Sequence, residues 1–105
     1  MFPPGKMEKI LAKAQKAQAK MQEDIAALRV EGSSGGGIVK ALVDGNKNVL
    51  DLVLSPEALE DADASEVADL VLAAISDAQR TAQAEVEKKM SDLAGMLGLP
   101  PGMGL

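Results

Sequence analysis

Residues 29–54, RVEGSSGGGIVKALVDGNKNVLDLVL, decide the fold of this chain. Two apolar runs, Ile38–Val43 and Asn48–Leu54, flank a short polar segment that contains Asp-Gly, which is a strong signal for a β-hairpin. Arg29–Glu31 supplies a further strand, so we predict a three-stranded antiparallel meander. Few charges interrupt the two apolar runs. We therefore expect one sheet face to pack on helices and the other to meet a partner subunit.

The segment 32–37, GSSGGG, separates the first two predicted strands. It suits a flexible turn, because glycine adopts backbone conformations that are closed to other residues. A phosphate-binding loop is the alternative interpretation. However, Gly35–Gly37 lacks the Gly-Lys-Ser/Thr ending of such a loop and precedes a strand rather than a helix. A hairpin turn is the better interpretation.

The segment before the sheet, from Gly5 to about Leu28, is predicted to be one helix, since it has no internal glycine or proline. Its inward positions alternate four and three residues apart, the heptad spacing of a helix that packs on another helix. These positions are Met7, Leu11, Ala14, Gln18, Met21, Ile25 and Leu28.

Five lysines form one stripe, about 21 Å long, on the opposite face of this helix. They are Lys6, Lys9, Lys13, Lys16 and Lys20. The ordinary interpretation is that surface lysines keep an amphipathic helix in solution. However, Glu8 is the only acidic residue among the first 22, so the stripe lacks the mixed signs of a solvated face. Binding of an anionic partner is the second interpretation.

The chain after the sheet carries two helix-start signals. Ser55–Glu57 places proline after a capping serine and predicts a short helical turn over Glu57–Glu60. Asp63–Glu66 resembles a capping box and begins a long Ala-rich helix that runs to about Ala94 and ends at Gly95. The tail, residues 95–105, is uncharged and rich in proline and glycine, and we expect it to be largely unordered.

Acidic side chains crowd the beginning of this second half. Their spacing matches no EF-hand loop, and without histidine they cannot complete a transition-metal site. A solvated helix N-terminus is the better interpretation, so we expect no metal and no cofactor.

The composition excludes several function classes. The 105 residues include no His, Cys, Trp or Tyr and a single Phe, so imidazole and thiolate catalysis and aromatic stacking of bases are unavailable. Apolar residues make up 47%, but 17 of them are alanine, so the core of this single domain is thin and a homodimer is expected. No signal peptide or spanning segment is evident, and the expected location is cytoplasmic. We expect neither an enzyme nor a small-molecule site.

Charge is distributed unevenly along the chain. Residues 1–29 carry six basic and three acidic side chains. Residues 57–105 carry three basic and ten acidic side chains. The first segment therefore has a formal charge of +3 inside a chain whose total is −5. The overall charge argues against a nucleic-acid partner, but the charge of the first helix favours one.

The ordered set of segments resembles the YbaB/EbfC family of bacterial nucleoid-associated proteins, over nearly the whole chain. No single motif is specific to that family. The segments that carry the resemblance are Lys13–Gln18, Met21–Glu23, Val30–Lys40, Asp44–Asn46, Ser55–Asp61, Leu70–Ala78 and Leu99–Met103.

The resemblance implies an α+β subunit of order α-β-β-β-α: a small antiparallel meander flanked by long N- and C-terminal helices. It further implies a tweezer-like homodimer that binds duplex DNA through its helices with little sequence preference, in the bacterial nucleoid. In this chain, the basic residues on the two helices that the resemblance assigns to DNA binding are as follows: Lys6, Lys9, Lys13, Lys16, Lys20 and Arg29 on the first helix and Arg80, Lys88 and Lys89 on the second. We favour the first helix, because acids outnumber basic residues on the second.

Two functions are therefore weighed. The leading hypothesis is an architectural protein that binds double-stranded DNA mainly through phosphate contacts from lysine and thereby affects nucleoid organisation and gene expression. The alternative is a homodimeric protein-interaction scaffold in which the lysines only keep the helix in solution.

Overall fold

The computed structural model describes residues 4–96 and residue 98. The elements, in chain order, are α1 (Pro4–Ala27), β1 (Val30–Ser34), β2 (Val39–Val43), β3 (Val49–Leu54) and α2 (Ala64–Met96). The strands form one antiparallel sheet in the order β1-β2-β3. The predicted α-β-β-β-α order and the antiparallel meander are confirmed. In the described part of the chain, no helix is long and apolar enough to cross a membrane.

The core lies between α2 and one face of the sheet. On the sheet side, Val30 and Val43 are opposite each other across β1 and β2, and Val39 lies further along on the same face. On the helix side, three alanines spaced four residues apart are completely buried: Ala74, Ala78 and Ala82. This spacing places them on one side of α2, and their small side chains let the helix approach the strands closely.

Helix α2 approaches the sheet closely at Gly32. A Cβ atom at this position would lie 2.2 Å from the backbone nitrogen of Ala78 and 2.7 Å from the carbonyl oxygen of Ala74. The missing side chain therefore lets α2 rest directly on the backbone of β1.

The prediction that residues 32–34 belong to a flexible turn is wrong, because they extend β1. Polar contacts fix the strand to α2. The backbone N–H of Ser33 donates to the Asp77 carboxylate at 3.0 Å, and the Ser34 hydroxyl donates to the Leu70 carbonyl at 2.6 Å. The turn itself is confined to Gly35–Gly37 and Ile38, and all three of its glycines have positive φ.

The turn between β2 and β3 holds the C-terminal end of α1. The backbone N–H of Gly45 donates to the Ile25 carbonyl at 3.0 Å, and a Cβ on Gly45 would lie 2.3 Å from that oxygen. The Arg29 guanidinium donates to the carbonyls of Ala26 and Leu28, at 3.1 and 2.8 Å. These bonds satisfy carbonyls that the helix itself leaves free at its end.

Asp44 stabilises the same turn. Its carboxylate accepts hydrogen bonds from the Asn48 side chain at 3.1 Å and from the backbone N–H groups of Asn48 and Asn46 at 3.0 and 2.9 Å. The two bonds from Asn48, supported by the one from the Asn46 N–H and by the charge of Arg29, outweigh desolvation and hold the pKa of Asp44 below its usual value. The turn is therefore stabilised by a charged aspartate.

Helix α1 packs against α2 only over its last turns. Met21, Ile25 and Leu28 are half-buried, as the heptad seam predicted, whereas residues 5–16 and Gln18 are exposed. The seam prediction is thus wrong for Met7, Leu11, Ala14 and Gln18. Ala17 of α1 and Met96, the last residue of α2, line the same groove, so α1 continues beyond the end of α2. The described chain is accordingly elongated, with extents of 71 × 22 × 17 Å.

Strand β3 is exposed on both faces, unlike β1 and β2. Helix α2 covers the other two strands but not this edge strand. A β-bulge between Leu42 and Val43 leaves Leu50 as an extra residue on β3. We call the four exposed apolar residues of this strand the β3 patch: Val49, Leu50, Leu52 and Val53.

The second half departs from the predictions at two places, the segment after β3 and the end of α2. Residues 56–61 form turns, so the short helical turn predicted over Glu57–Glu60 does not develop into a helix. The single i to i+4 bond, from the Leu59 N–H to the Ser55 carbonyl, does not propagate. Helix α2 begins separately, where the Asp63 carboxylate accepts a hydrogen bond from the Glu66 N–H.

Helix α2 passes through Gly95 and ends at Met96. Gly98, with φ of 75°, has the left-handed conformation expected of Gly95. The prediction of an unordered tail falls mostly on residue 97 and residues 99–105, which lie outside the described residues.

Candidate nucleic-acid interface

The lysine stripe lies on the part of α1 that extends past α2. Lys6, Lys9, Lys13 and Lys16 are all exposed. Their spacing of three and four residues puts them on one side of the helix, opposite the seam that reaches α2 further along. Sequence and structure therefore agree on a continuous row of flexible positive charges about 15 Å long.

Lys20 ends the stripe in a different environment. Its ammonium group lies 3.7 Å from the Asp24 carboxylate, and this is the only ion pair within 4 Å in the described part of the chain. Lys20 is largely and Asp24 partly exposed, so the pair contributes little to stability, at most about 1 kcal/mol. Asp24 nevertheless lowers the positive potential beside Lys20, so the net charge of the stripe is concentrated in its first four lysines.

Arg29, also carried over from the family resemblance, lies apart from the stripe. Its guanidinium is occupied in capping the carbonyls of Ala26 and Leu28. The structure thus gives this side chain a role at the joint between α1 and β1.

The basic residues of α2 do not join the stripe. Lys88 and Lys89 line a crevice with two acids, Glu85 and Asp92, beside the last turn of α1. Arg80 is exposed and, among the described residues, has no hydrogen bond or ion pair. The nine predicted DNA-binding residues therefore fall into one continuous row on α1 and separate positions of mixed charge elsewhere.

The acidic beginning of the second half is exposed. Asp63 caps α2 by accepting a hydrogen bond from the Glu66 N–H at 2.8 Å, and no group of acids in the described residues is arranged to hold a metal ion. The carboxylates therefore place negative charge at the end of the molecule where α2 begins.

The sequence did not reveal two features that bear on the site. One is the contact of the Asp44–Gly45 turn with the end of α1. The Asp-Gly pair predicted a turn, but not that this turn contacts a helix. The other is the exposure of the β3 patch on both faces. The near-continuous apolar run of β3 predicted burial, which the described chain alone does not provide.

Comparison with known proteins gives a consistent relationship. The sequence profile of the YbaB/EbfC DNA-binding family matches residues 3–97. A protein of Acidobacterium capsulatum named nucleoid-associated protein is 40% identical, and the alignment covers 95% of this chain and 97% of that one. A protein of the same name from Streptomyces avermitilis is 42% identical, with 93% and 92% covered.

The fold has also been seen in a crystal structure. The uncharacterized protein HP0035 from Helicobacter pylori is superimposed with a TM-score of 0.63 at 22% sequence identity, with 92% of this chain and 98% of that chain covered. At that identity the similarity concerns the fold alone. The profile match and the two bacterial relatives show that this chain belongs to the YbaB/EbfC DNA-binding family.

Proposed function

We propose that this protein is a non-enzymatic, nucleoid-associated protein that binds duplex DNA as a homodimer and affects nucleoid organisation and gene expression. The observation that carries the proposal is the uninterrupted, exposed lysine row on α1 in a chain of this family. Relatives named nucleoid-associated protein support the same location for this chain.

The chemistry of the row favours phosphate contact over base reading. Lysine carries a flexible point charge suited to phosphate oxygens, whereas base edges are read mainly by Arg, Asn and Gln in bidentate contacts. The chain has no Tyr or Trp for stacking on bases. We therefore expect low sequence specificity and a non-specific dissociation constant in the micromolar range at physiological salt.

The homodimer is supported by the β3 patch. Val53 is 54% exposed and Leu52, on the other face of the strand, is 36% exposed, although both belong to an apolar edge strand. An unpaired edge with apolar side chains on both faces is a surface that proteins bury by pairing or covering it. A second copy that pairs with this edge would bury it and bring two lysine rows into one particle.

The decisive experiment reverses three charges in the centre of the row. The variant Lys9→Glu, Lys13→Glu, Lys16→Glu is expected to lose at least about 100-fold in affinity for a short duplex, since phosphate contacts dominate non-specific binding. Fluorescence anisotropy measures the affinity, and sedimentation equilibrium verifies that the dimer is intact. The scaffold alternative predicts unchanged DNA binding.

A matched control carries the same charge change away from α1. The variant Lys47→Glu, Arg80→Glu, Lys88→Glu alters three other exposed basic residues and is expected to keep most of the affinity. For the unaltered protein, log K should fall against log salt with a slope of about −5 to −7 if a dimer engages about six to eight phosphates. A slope near zero would refute binding through phosphates.

The dimer has its own test. Leu52→Lys places a charge in the β3 patch and should convert the dimer to a monomer. Leu72→Lys changes an equally large residue that is 63% exposed on α2 and should leave the dimer intact. Sedimentation equilibrium distinguishes the two, and an unaltered protein that is strictly monomeric would refute the homodimer.

A further inference from the structure

The first turns of α1 expose apolar side chains that the described chain leaves uncovered. We call these residues the distal seam: Met7, Ile10, Leu11 and Ala14. Met7, Ile10 and Leu11 are 44, 45 and 55% exposed. The seam lies on the helix side that faces α2 further along, since Met7 and Leu11 are 14 residues from Met21 and Ile25.

A groove between α1 and the end of α2 lies about one helical turn from this seam. Its volume is about 310 Å³, and it is lined on the α1 side by Ala17 and Met21 and on the α2 side by Leu93 and Met96. Charged side chains of both signs flank it, namely Lys20, Asp24, Lys89 and Asp92. The apolar floor therefore runs from the last residue of α2 toward the exposed part of α1.

The sequence supplies an apolar segment at this point. Residues 99–105, LPPGMGL, contain no charged residue and follow Gly98, which has a φ of 75° and donates its backbone N–H to the Gly95 carbonyl. Two leucines and a methionine match the apolar character of the seam. Proline has a fixed φ, so two adjacent prolines lose less backbone entropy on docking than other residues would.

Seven residues are enough to reach from the end of α2 to the distal seam. The seam reaches Met7, about 15 Å along the helix from Ala17, whereas seven extended residues span about 23 Å. A segment tethered beside the groove also has a high effective concentration there, on the order of millimolar, which favours it over another copy of the chain. We propose that residues 99–105 dock on the distal seam of α1 of their own chain, opposite the lysine row.

Paramagnetic relaxation measures this contact in the full-length protein. The chain has no cysteine, so Met103→Cys carries a single nitroxide label. In a uniformly ¹⁵N-labelled sample, the amide signals of residues 7–14 should lose more than half of their intensity, while those of β2 should not. Unchanged signals over residues 7–14 would overturn the proposal.

Two variants test which face of α1 is used. Leu11→Ser in the labelled protein should abolish the broadening, whereas Lys9→Ser, on the opposite face of the same exposed turns, should retain it. Equal broadening in both variants would overturn the docking on the seam. Both side chains are exposed in the described structure, so neither change should unfold the protein.

Dilution distinguishes docking of residues 99–105 on their own chain from docking on another copy. The labelled chain is mixed and equilibrated with a large excess of unlabelled, nitroxide-free chain. Broadening that persists shows docking within one chain, as proposed. Broadening that disappears shows that the segment reaches another copy, which would overturn the proposal.

Discussion

Helices α1 and α2 are both long and Ala-rich, yet only α2 has buried alanines. Ala74, Ala78 and Ala82 of α2 are completely buried, whereas most alanines of α1 are exposed. The difference comes from the sheet. Gly32 lets α2 pack directly on β1, whereas α1 contacts the rest of the domain only through its last turns. Alanine periodicity thus indicates a helix but does not show whether the helix is buried.

The two helices also differ in the distribution of their charges. Helix α1 has an exposed row of lysines with few acids nearby, and α2 carries basic residues beside acids. One helix accordingly stabilises the domain, and the other presents positive charge away from it. The following changes test this contrast in order of decreasing expected effect.

The contact of α2 with β1 should be the most sensitive point. Gly32→Val would place side-chain atoms within the backbone of α2, where the first added carbon already lies 2.2 Å from the Ala78 nitrogen. We expect a loss of about 3 kcal/mol or more in the free energy of unfolding, measured by urea denaturation. Gly5→Ala is the control, because a Cβ there meets nothing within 4 Å. An unchanged urea midpoint for Gly32→Val would contradict this packing.

The same substitution on the two helices compares them directly. Ala78→Leu overpacks the buried face of α2 and should cost about 2 kcal/mol in the free energy of unfolding. Ala19→Leu on the exposed surface of α1 should change it by less than about 0.5 kcal/mol. Urea denaturation of both variants provides the test, and equal losses would show that α1 is buried as deeply as α2.

The joint between α1 and the sheet should depend on pH through Asp44. Hydrogen bonds lower the pKa of this carboxylate in the folded state, so its charged form stabilises the fold above the unfolded pKa of about 3.9. This contribution disappears as the pH falls through the folded-state pKa. Asp44→Asn should therefore lower the urea midpoint at pH 7, and the gap to the unaltered protein should narrow toward pH 3. A gap that widens with acid would contradict the assignment.

Basic residues of α2 should matter least for DNA. Lys88→Glu, Lys89→Glu is expected to change the affinity for a short duplex by less than about threefold, because Glu85 and Asp92 already offset these charges. Fluorescence anisotropy at fixed salt concentration measures this affinity. A loss as large as that of the charge reversal on α1 would show that both helices contact DNA.

The local elements were largely predictable from the sequence. Asp44–Lys47 between apolar runs predicted the hairpin, Asp63–Glu66 predicted the start of α2, and the lysine spacing predicted one charged face. Errors occurred where a polar or small residue makes a tertiary contact. Ser33 and Ser34 look like turn residues, but their bonds to α2 hold them in a strand. Such contacts join residues more than 30 positions apart, which local propensity does not capture.

By itself, the sequence determined the order of elements, the absence of histidine and cysteine chemistry, and the placement of positive charge on α1. These follow from residue type and periodicity, which act over a few neighbouring positions. Only the tertiary structure decided which apolar face is covered. Helix α2 lies across β1 and β2 but not β3, and α1 runs past its end, so two strongly apolar surfaces remain exposed. Burial depends on what lies opposite a face in space, and periodicity specifies only the face.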